Sequence, residues 1–151
     1  MPSKKSLSYN VIGRRITAAL IDFILWVILY VVAAKYFGTI THDTSNGSNM
    51  YYANLTGAPE AFFFLAALAY YSILEWRLGA TLGKLATGIC VMNERGKKIT
   101  FYEALIRNLF RIIDGFPYIV PYLVGLIVIA GNDKKQRIGD KVAHTVVIRS
   151  S

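Results

Sequence analysis

Two charged residues near the start of the first apolar segment have the types and spacing of an intramembrane charge site. Asp22 follows Arg15 by seven residues, which is two helical turns, so both side chains project from one face. A carboxylate inside a bilayer costs about 2.5–3.5 kcal/mol on insertion scales. We therefore expect Asp22 to face the protein interior beside a basic partner, drawn from Arg15, Arg107 or Arg111. The pair would serve either as a structural lock or as a site that binds a cation or a proton.

A second polar set lies in the broken apolar segment 103–130. Arg107, Arg111 and Asp114 are separated by four and three residues, which places them on one helical face. They are candidates for a polar network that lines a path for an ion. A glycine and two prolines follow them, and these residues interrupt any single straight helix.

Two long apolar runs are the elements that must position these residues. Residues 16–37 and 58–76 each approach the roughly 20 apolar residues that span a bilayer. A cleavable signal peptide is the alternative for the first run, but its length and its internal aspartate favour a retained helix. We therefore predict a membrane protein of mainly α class with two full transmembrane helices. The polar residues 38–57 between them have the composition of a loop.

The distribution of basic residues predicts how these helices are oriented. Lysine and arginine number four in residues 1–15, none in 38–60, five in 76–104 and five in 131–151. Short loops rich in these residues stay cytoplasmic. Both termini and the second loop are then cytoplasmic, so segment 103–130 is predicted to be broken or re-entrant and to return to the side it left. A single third span, which would place the tail outside, is the alternative.

A small β element is predicted on the cytoplasmic side. Two β-prone runs flank the polar turn 93–96, which predicts a β-hairpin over residues 88–101. The tail ends in a similar run, and residues 143–149 are predicted to join the hairpin as a further strand. The chain is thus expected to form a single membrane domain over residues 1–151.

Composition excludes several classes of function. Hydrophobic residues make up 54% of the chain and charged residues 17%, with a net charge of +8. The basic residues flank apolar segments instead of sharing a polar face with stacking aromatics, which argues against nucleic acid. With one cysteine, no metal-ligand cluster and no nucleophile–base pair, the sequence predicts neither an enzyme nor a metal site or other cofactor. Gly83-Lys84 lacks the spacing and the following hydroxyl of a phosphate-binding loop.

Four stretches in order resemble the RDD family of bacterial membrane proteins. They are Arg14-Arg15-Ile16-Thr17-Ala18-Ala19-Leu20-Ile21-Asp22, Gly79-Ala80-Thr81-Leu82-Gly83-Lys84, Ala104-Leu105-Ile106-Arg107-Asn108, and Arg137-Ile138-Gly139-Asp140-Lys141-Val142-Ala143-His144-Thr145-Val146-Val147. The resemblance covers residues 10–149. It places the arginine that names the family on Arg14 or Arg15, preferentially Arg15, and the two aspartates on Asp22 and Asp140. His144 stands where glycine is commoner in the family.

The resemblance implies a multi-pass protein of the bacterial inner membrane. It suggests transport of a small ion or solute, with sodium/proton exchange as the most concrete form. One subunit with two spans is too small to enclose a path, so transport would require a homo-oligomer or another membrane protein in addition to the lipid bilayer. The alternative function is a non-catalytic partner or regulator of another membrane protein, which docks through the cytoplasmic β element.

The charge distribution makes a testable prediction about sidedness. Cys90, the only cysteine, lies in the basic second loop, so a membrane-impermeant thiol reagent should reach it only from the cytoplasmic side. In a Cys90-free chain, a cysteine at Ser45 should label in intact cells and one at Ser150 only in inverted vesicles. Labelling of both from outside would instead establish a third full span.

Overall fold

Two long helices, several short helices and two strand pairs make up the described chain. The computed structural model describes residues 11–44, 49–115, 131 and 134–150, without the side chains of residues 112–115. The elements in order are α1 (Ile12–Phe37), β1 (Thr39–Asp43), β2 (Met50–Asn54), α2 (Ala58–Leu78), α3 (Leu82–Ala86), β3 (Ile89–Asn93), α4 (Phe101–Gly115), α5 (Ile138–Val142) and β4 (Thr145–Arg149).

The long helices α1 and α2 lie where the hydropathy predicts them. Helix α1 begins a turn earlier than expected and α2 ends two residues later. Both are long and apolar enough to cross a membrane, and only 11% of the apolar window of each is buried. Gly57, at a φ of +68°, precedes α2, and Pro59 occupies its first turn. Gly79, at a φ of +71°, follows its last residue and donates its N–H to the Glu75 carbonyl.

Residues 23–67 form one compact unit. Within it, β1 and β2 pair in antiparallel register from Thr39↔Asn54 to Asp43↔Met50. The loop predicted for residues 38–57 is therefore wrong in part, because β1 contains threonine and isoleucine and β2 contains two tyrosines, all of which favour strands. Phe63 packs edge-on against the aromatic rings of both Trp26 and Tyr30 within the same unit.

The rest of the described chain forms the second compact unit, whose apolar core surrounds β3 and β4. These strands pair in antiparallel register from Ile89↔Arg149 to Asn93↔Thr145. The tail strand therefore pairs with residues 89–93, as expected. The apolar core of this second unit consists of Val11, Ala18, Ile89, Val91, Ile99, Ala104 and Val147, with Trp76 packed against them.

The hairpin predicted over residues 88–101 is wrong in its second half. Residues 98–100 form no strand, and α4 begins at Phe101. A capping box explains the difference: the Thr100 N–H donates to the Glu103 carboxylate at 2.6 Å, and the Glu103 N–H donates to the Thr100 hydroxyl at 3.2 Å. This local helix start prevails over the β-propensity of the residues before it. Helix α4 forms the first part of the segment 103–130 that is predicted to be broken. Residues 116–130 are not among the residues that the structure describes.

Residues 79–94 and 135–150 fold alike, position by position. Each run begins with a residue at positive φ, Gly79 or Lys135, and continues through a short helix, a turn and a strand. The turn residues before the strands, Gly88 at a φ of +64° and His144 at +50°, occupy equivalent positions. The backbone bonds match too, since the Ser150 N–H donates to the Gly88 carbonyl and the Glu94 N–H to the His144 carbonyl, both at 3.0 Å.

A local two-fold axis relates these two repeats. Val91 and Val147 are equivalent residues, and they are also direct partners in the β3–β4 ladder. The pair Ile89↔Arg149 maps onto the pair Asn93↔Thr145 when the repeats are exchanged. This reciprocity is the signature of an isologous, two-fold contact, here formed within one chain. His144 therefore holds a left-handed position that favours glycine.

Each repeat places one glycine directly against a longer helix. A Cβ added to Gly83 would lie 2.1 Å from the Ala18 carbonyl oxygen of α1, and one added to Gly139 would lie 2.8 Å from the Arg107 carbonyl oxygen of α4. Both separations are far below van der Waals contact, so the backbones can approach this closely only with glycine.

Alanine substitution tests these close approaches. Gly83→Ala and Gly139→Ala should each lower the free energy of unfolding by about 1–3 kcal/mol, because the backbones must separate. Gly13→Ala is the matched control: it lies in α1 with no atom within 4 Å of an added Cβ, and alanine is the better helix former. Thermal unfolding in detergent measures all three, and equal melting temperatures would contradict the packing.

Candidate functional site

The carboxylate of Asp140 contacts guanidinium groups from three different segments. Its side chain is fully buried, with the Arg15 Nη2 at 2.6 Å from Oδ2 and the Arg107 Nη2 at 3.0 Å from Oδ1. Arg137 Nη2 is 3.7 Å away, and the Arg137 backbone N–H donates to the same carboxylate at 3.1 Å. Asp140 therefore pairs with the start of α1 and with α4, and it stabilises the first turn of its own helix.

Electrostatics keep Asp140 ionised. Burial raises the pKa of this carboxyl, but Arg107, Arg15 and Arg137 outweigh burial and hold the pKa well below its usual range. The stability that the carboxylate contributes is therefore fully present above its ordinary pKa of 3.8 and is lost as the pH falls further.

Arg107 joins this carboxylate to a second one. Its side chain has no solvent exposure, and its Nε lies 3.1 Å from Glu75 Oε2 while its Nη2 pairs with Asp140. Its Nη1 also donates to the Thr145 hydroxyl at 3.4 Å, at the start of β4. One guanidinium thus connects the end of α2, the helix α5 and the central strand pair.

Glu75 has two further partners. The Lys84 ammonium contacts Oε1, and the Asn108 amide donates to Oε2 at 2.9 Å. Lys84 is 7% exposed and Glu75 is not exposed at all. Burial lowers the pKa of Lys84 to about 7, with Arg107 adding in the same direction and Glu75 opposing. Burial therefore favours the neutral form of Lys84 more than it would for an exposed lysine.

One acceptor beside this pair has no donor. The Asn108 amide group donates both to Glu75 and to the Ala104 carbonyl, which fixes its orientation. Its Oδ1 is buried and receives no hydrogen bond from the described residues. A buried acceptor of this kind is unfavourable unless a donor such as water reaches it.

Asp22 is buried, as expected, but its partners differ from those expected. Its oxygens accept from the Thr81 hydroxyl at 2.6 Å, the Gly83 N–H at 2.9 Å and the Tyr70 hydroxyl at 3.3 Å. Among the residues that the structure describes, no basic side chain lies within ion-pair distance of Asp22, so the predicted basic partner is wrong. The N-terminus of α3 supplies the compensation instead, because Thr81 is its N-cap and Gly83 lies in its first turn.

The remaining predicted site residues do not form one network. Arg14 donates to the Thr87 carbonyl at 2.6 Å. Arg111 stacks on Tyr71, with its guanidinium carbon 3.8 Å from the ring centre. The Asp114 side chain lies outside the described residues. Arg107 is therefore the member of the predicted polar network that the structure places at the centre of the site.

The sequence reasoning missed Glu75, Lys84 and Asn108. Glu75 stands one residue before Trp76 at the end of an apolar run, a position typical of a headgroup contact. Lys84 stands in a glycine-rich stretch that resembles a loop. Neither pattern reveals that α3 turns its lysine inward, since that depends on Gly83 packing against α1. Among the described residues, no group of acidic, cysteine and histidine side chains could hold a metal ion.

The family model of the RDD family matches residues 9–144. The chain belongs to the RDD family. No curated protein and no solved structure is significantly similar to it. Family membership and the two apolar helices together indicate a membrane protein.

The geometry brings together two of the three residues, Arg15, Asp22 and Asp140, that the sequence resemblance singled out. Arg15 and Asp140 form an ion pair across nearly the whole chain, whereas Asp22 belongs to a neighbouring set of neutral donors. Both sets meet at α3, because Gly83 donates to Asp22 and the next residue, Lys84, contacts Glu75.

Substitution of the two aspartates should separate these roles. Asp140→Asn leaves the buried guanidiniums of Arg15 and Arg107 facing a neutral amide, and we expect a loss of about 3–5 kcal/mol in the free energy of unfolding. Asp22→Asn strands no buried charge among the described residues, so the loss should be smaller, about 1–3 kcal/mol. Denaturant unfolding in detergent measures both against Glu60→Gln, an exposed control. Equal losses would contradict the distinction.

Proposed function

We propose that this RDD protein is a non-catalytic, multi-pass membrane protein that exchanges protons for a small cation such as sodium, with Lys84 as the proton carrier. The observation that carries the proposal is the buried contact between the Lys84 ammonium and Glu75, beside an amide oxygen without a donor. Buried lysines with lowered pKa values are common at sites where protons move.

The partners of Glu75 allow Lys84 to lose its proton. When Lys84 is charged, it neutralises the carboxylate together with Arg107. When Lys84 is neutral, Glu75 keeps the Arg107 ion pair at 3.1 Å and the Asn108 hydrogen bond at 2.9 Å. The carboxylate therefore never remains as an unpaired buried charge, which would be strongly unfavourable.

The bonding of Asp22 favours a structural role for that residue. Its three partners are all hydrogen-bond donors, and donors oppose the binding of a cation. Asp22 holds the N-terminus of α3 in place, and α3 carries Lys84 one residue after Gly83. In this proposal Asp22 is a positioning residue for the proton carrier.

Orientation and assembly follow from the basic residues and the small size of the chain. We place the end of α1 and α2 that carries the ion network at the cytoplasmic face of a bacterial inner membrane, in accord with the basic loop and tail. The two candidate spans in the described part of the chain cannot enclose a path, so the proposal includes a homo-oligomer.

Lys84→Arg provides the decisive test. Arginine keeps the positive charge beside Glu75 but does not release its proton in proteins, so sodium-driven proton flux should fall by an order of magnitude or more. The flux is measured in reconstituted vesicles with an internal pH-sensitive dye. The wild type should show a rate that changes most steeply near pH 7, and this dependence should vanish in the variant.

Lys97→Arg is the matched control, because Lys97 is exposed in the turn after β3 and should leave flux unchanged. Unchanged flux in a folded Lys84→Arg variant would show that a group other than Lys84 carries the proton. A folded wild type that moves no proton, sodium or potassium would overturn transport itself.

A second function, the partner or regulator of another membrane protein, is favoured by the exposed faces of the two long helices. Phe62 is 74% exposed and Leu65 is 64% exposed in α2. In a membrane, such faces are covered by lipid or by other helices. This function predicts no ion flux, and it predicts that a photo-crosslinker at Leu65 forms one adduct of discrete mass with a different protein.

A further inference from the structure

The short helices α3 and α5 are amphipathic in the reverse sense to helices in water. Each buries a charged residue, Lys84 or Asp140, on its inner side. Each exposes aliphatic side chains by 37–50%: Leu82 and Leu85 in α3, and Ile138 and Val142 in α5. A helix on an aqueous surface normally buries its aliphatic residues and exposes its charges.

The two-fold relation shows that this reversal is systematic. Leu82 and Ile138 occupy equivalent positions of the two repeats, as do the buried Lys84 and Asp140. In each helix a glycine, Gly83 or Gly139, lies between the aliphatic and the charged residue. It brings the inner side of the helix against a neighbouring backbone. Both helices thus expose an aliphatic residue at the first position, although Leu85 of α3 corresponds to Lys141 of α5.

The position of α3 connects this face to the first long helix. Gly83 packs against α1 at Ala18, and Ile21, which lies one turn later on the same side of α1, is 37% exposed. The apolar surface of α3 therefore begins beside the apolar surface of a candidate membrane span. Leu78, the last residue of α2, is 56% exposed just before this repeat begins.

Exposed basic side chains accompany the apolar ones. Arg14 reaches the C-terminal end of α3 through the Thr87 carbonyl, Arg77 stacks on Trp76, and Lys141 projects from α5. All three are exposed cations, so a second copy of this face would be repelled by like charge. Anionic headgroups complement it, because lysine and arginine side chains near a membrane surface are attracted to anionic lipids.

We propose that the outward faces of α3 and α5 form a paired lipid-binding surface that lies in the headgroup layer of the membrane. Leu82 and Ile138 insert among the upper acyl chains, and the basic side chains contact anionic headgroups. Each of the two helices, α3 and α5, then has the geometry of an interfacial amphipathic helix that is only about one turn long. The proposal rests on the membrane location in the proposed function but not on ion exchange, so transport can fail without affecting it.

Lipid-attached quenchers test the surface directly. The full chain carrying Cys90→Ser and a single cysteine, Leu82→Cys or Ile138→Cys, is labelled with an environment-sensitive fluorophore. It is then reconstituted into vesicles of phosphatidylglycerol and phosphatidylethanolamine. Nitroxides placed just below the headgroups should quench both labels to a similar extent, and several-fold more than a label at Lys97→Cys. A blue-shifted emission at both sites should accompany the quenching.

Three results would overturn the proposal. Quenching no greater than at Lys97 places the faces in water. Blue-shifted emission without lipid quenching shows that protein covers them. Quenching at one site alone shows that the two repeats do not lie at the same depth. Leu85→Cys and Val142→Cys, which are also about half exposed, repeat the measurement if either first variant fails to fold.

Discussion

The buried guanidinium of Arg107 is the interaction on which the arrangement of this RDD protein depends. Among the residues described, it is the one group that forms ion pairs with both Glu75 and Asp140. Glu75 in turn holds Lys84 of α3, and Asp140 holds Arg15 of α1. The ends of two long helices, the second repeat and the strand pair are therefore all joined through a single planar cation.

The two-fold repeat explains how such a concentration of charge is accommodated. Lys84 and Asp140 stand at equivalent positions and carry opposite charges, so the two repeats differ where symmetry would otherwise place like charges together. Glycine precedes each of them, and each glycine lets its helix approach a neighbouring backbone. Close backbone packing excludes water, and it makes the ion pairs stronger but also makes each missing partner costly.

Sequence patterns predict the parts of this structure that depend on local physics. The lengths of α1 and α2 follow from hydropathy, the pairing of the tail follows from its β-propensity, and the burial of Asp22 follows from the cost of a charge in an apolar helix. The partner of Asp22 could not be predicted, because α3 is too short to show a helical period. The repeat was equally hidden, since Leu82-Gly83 and Ile138-Gly139 share little beyond a glycine and aliphatic neighbours, while their backbones match throughout.

The sequence separation of Arg15 and Asp140 determines when their ion pair can form during biosynthesis. These partners are separated by 125 positions, so Arg15 leaves the ribosome long before the carboxylate that neutralises it is made. Helices α1 and α2 are therefore complete while Arg15 still lacks its carboxylate partner. The network can close only when translation is almost complete, and a chain truncated before Asp140 leaves the guanidiniums of Arg15 and Arg107 without this carboxylate.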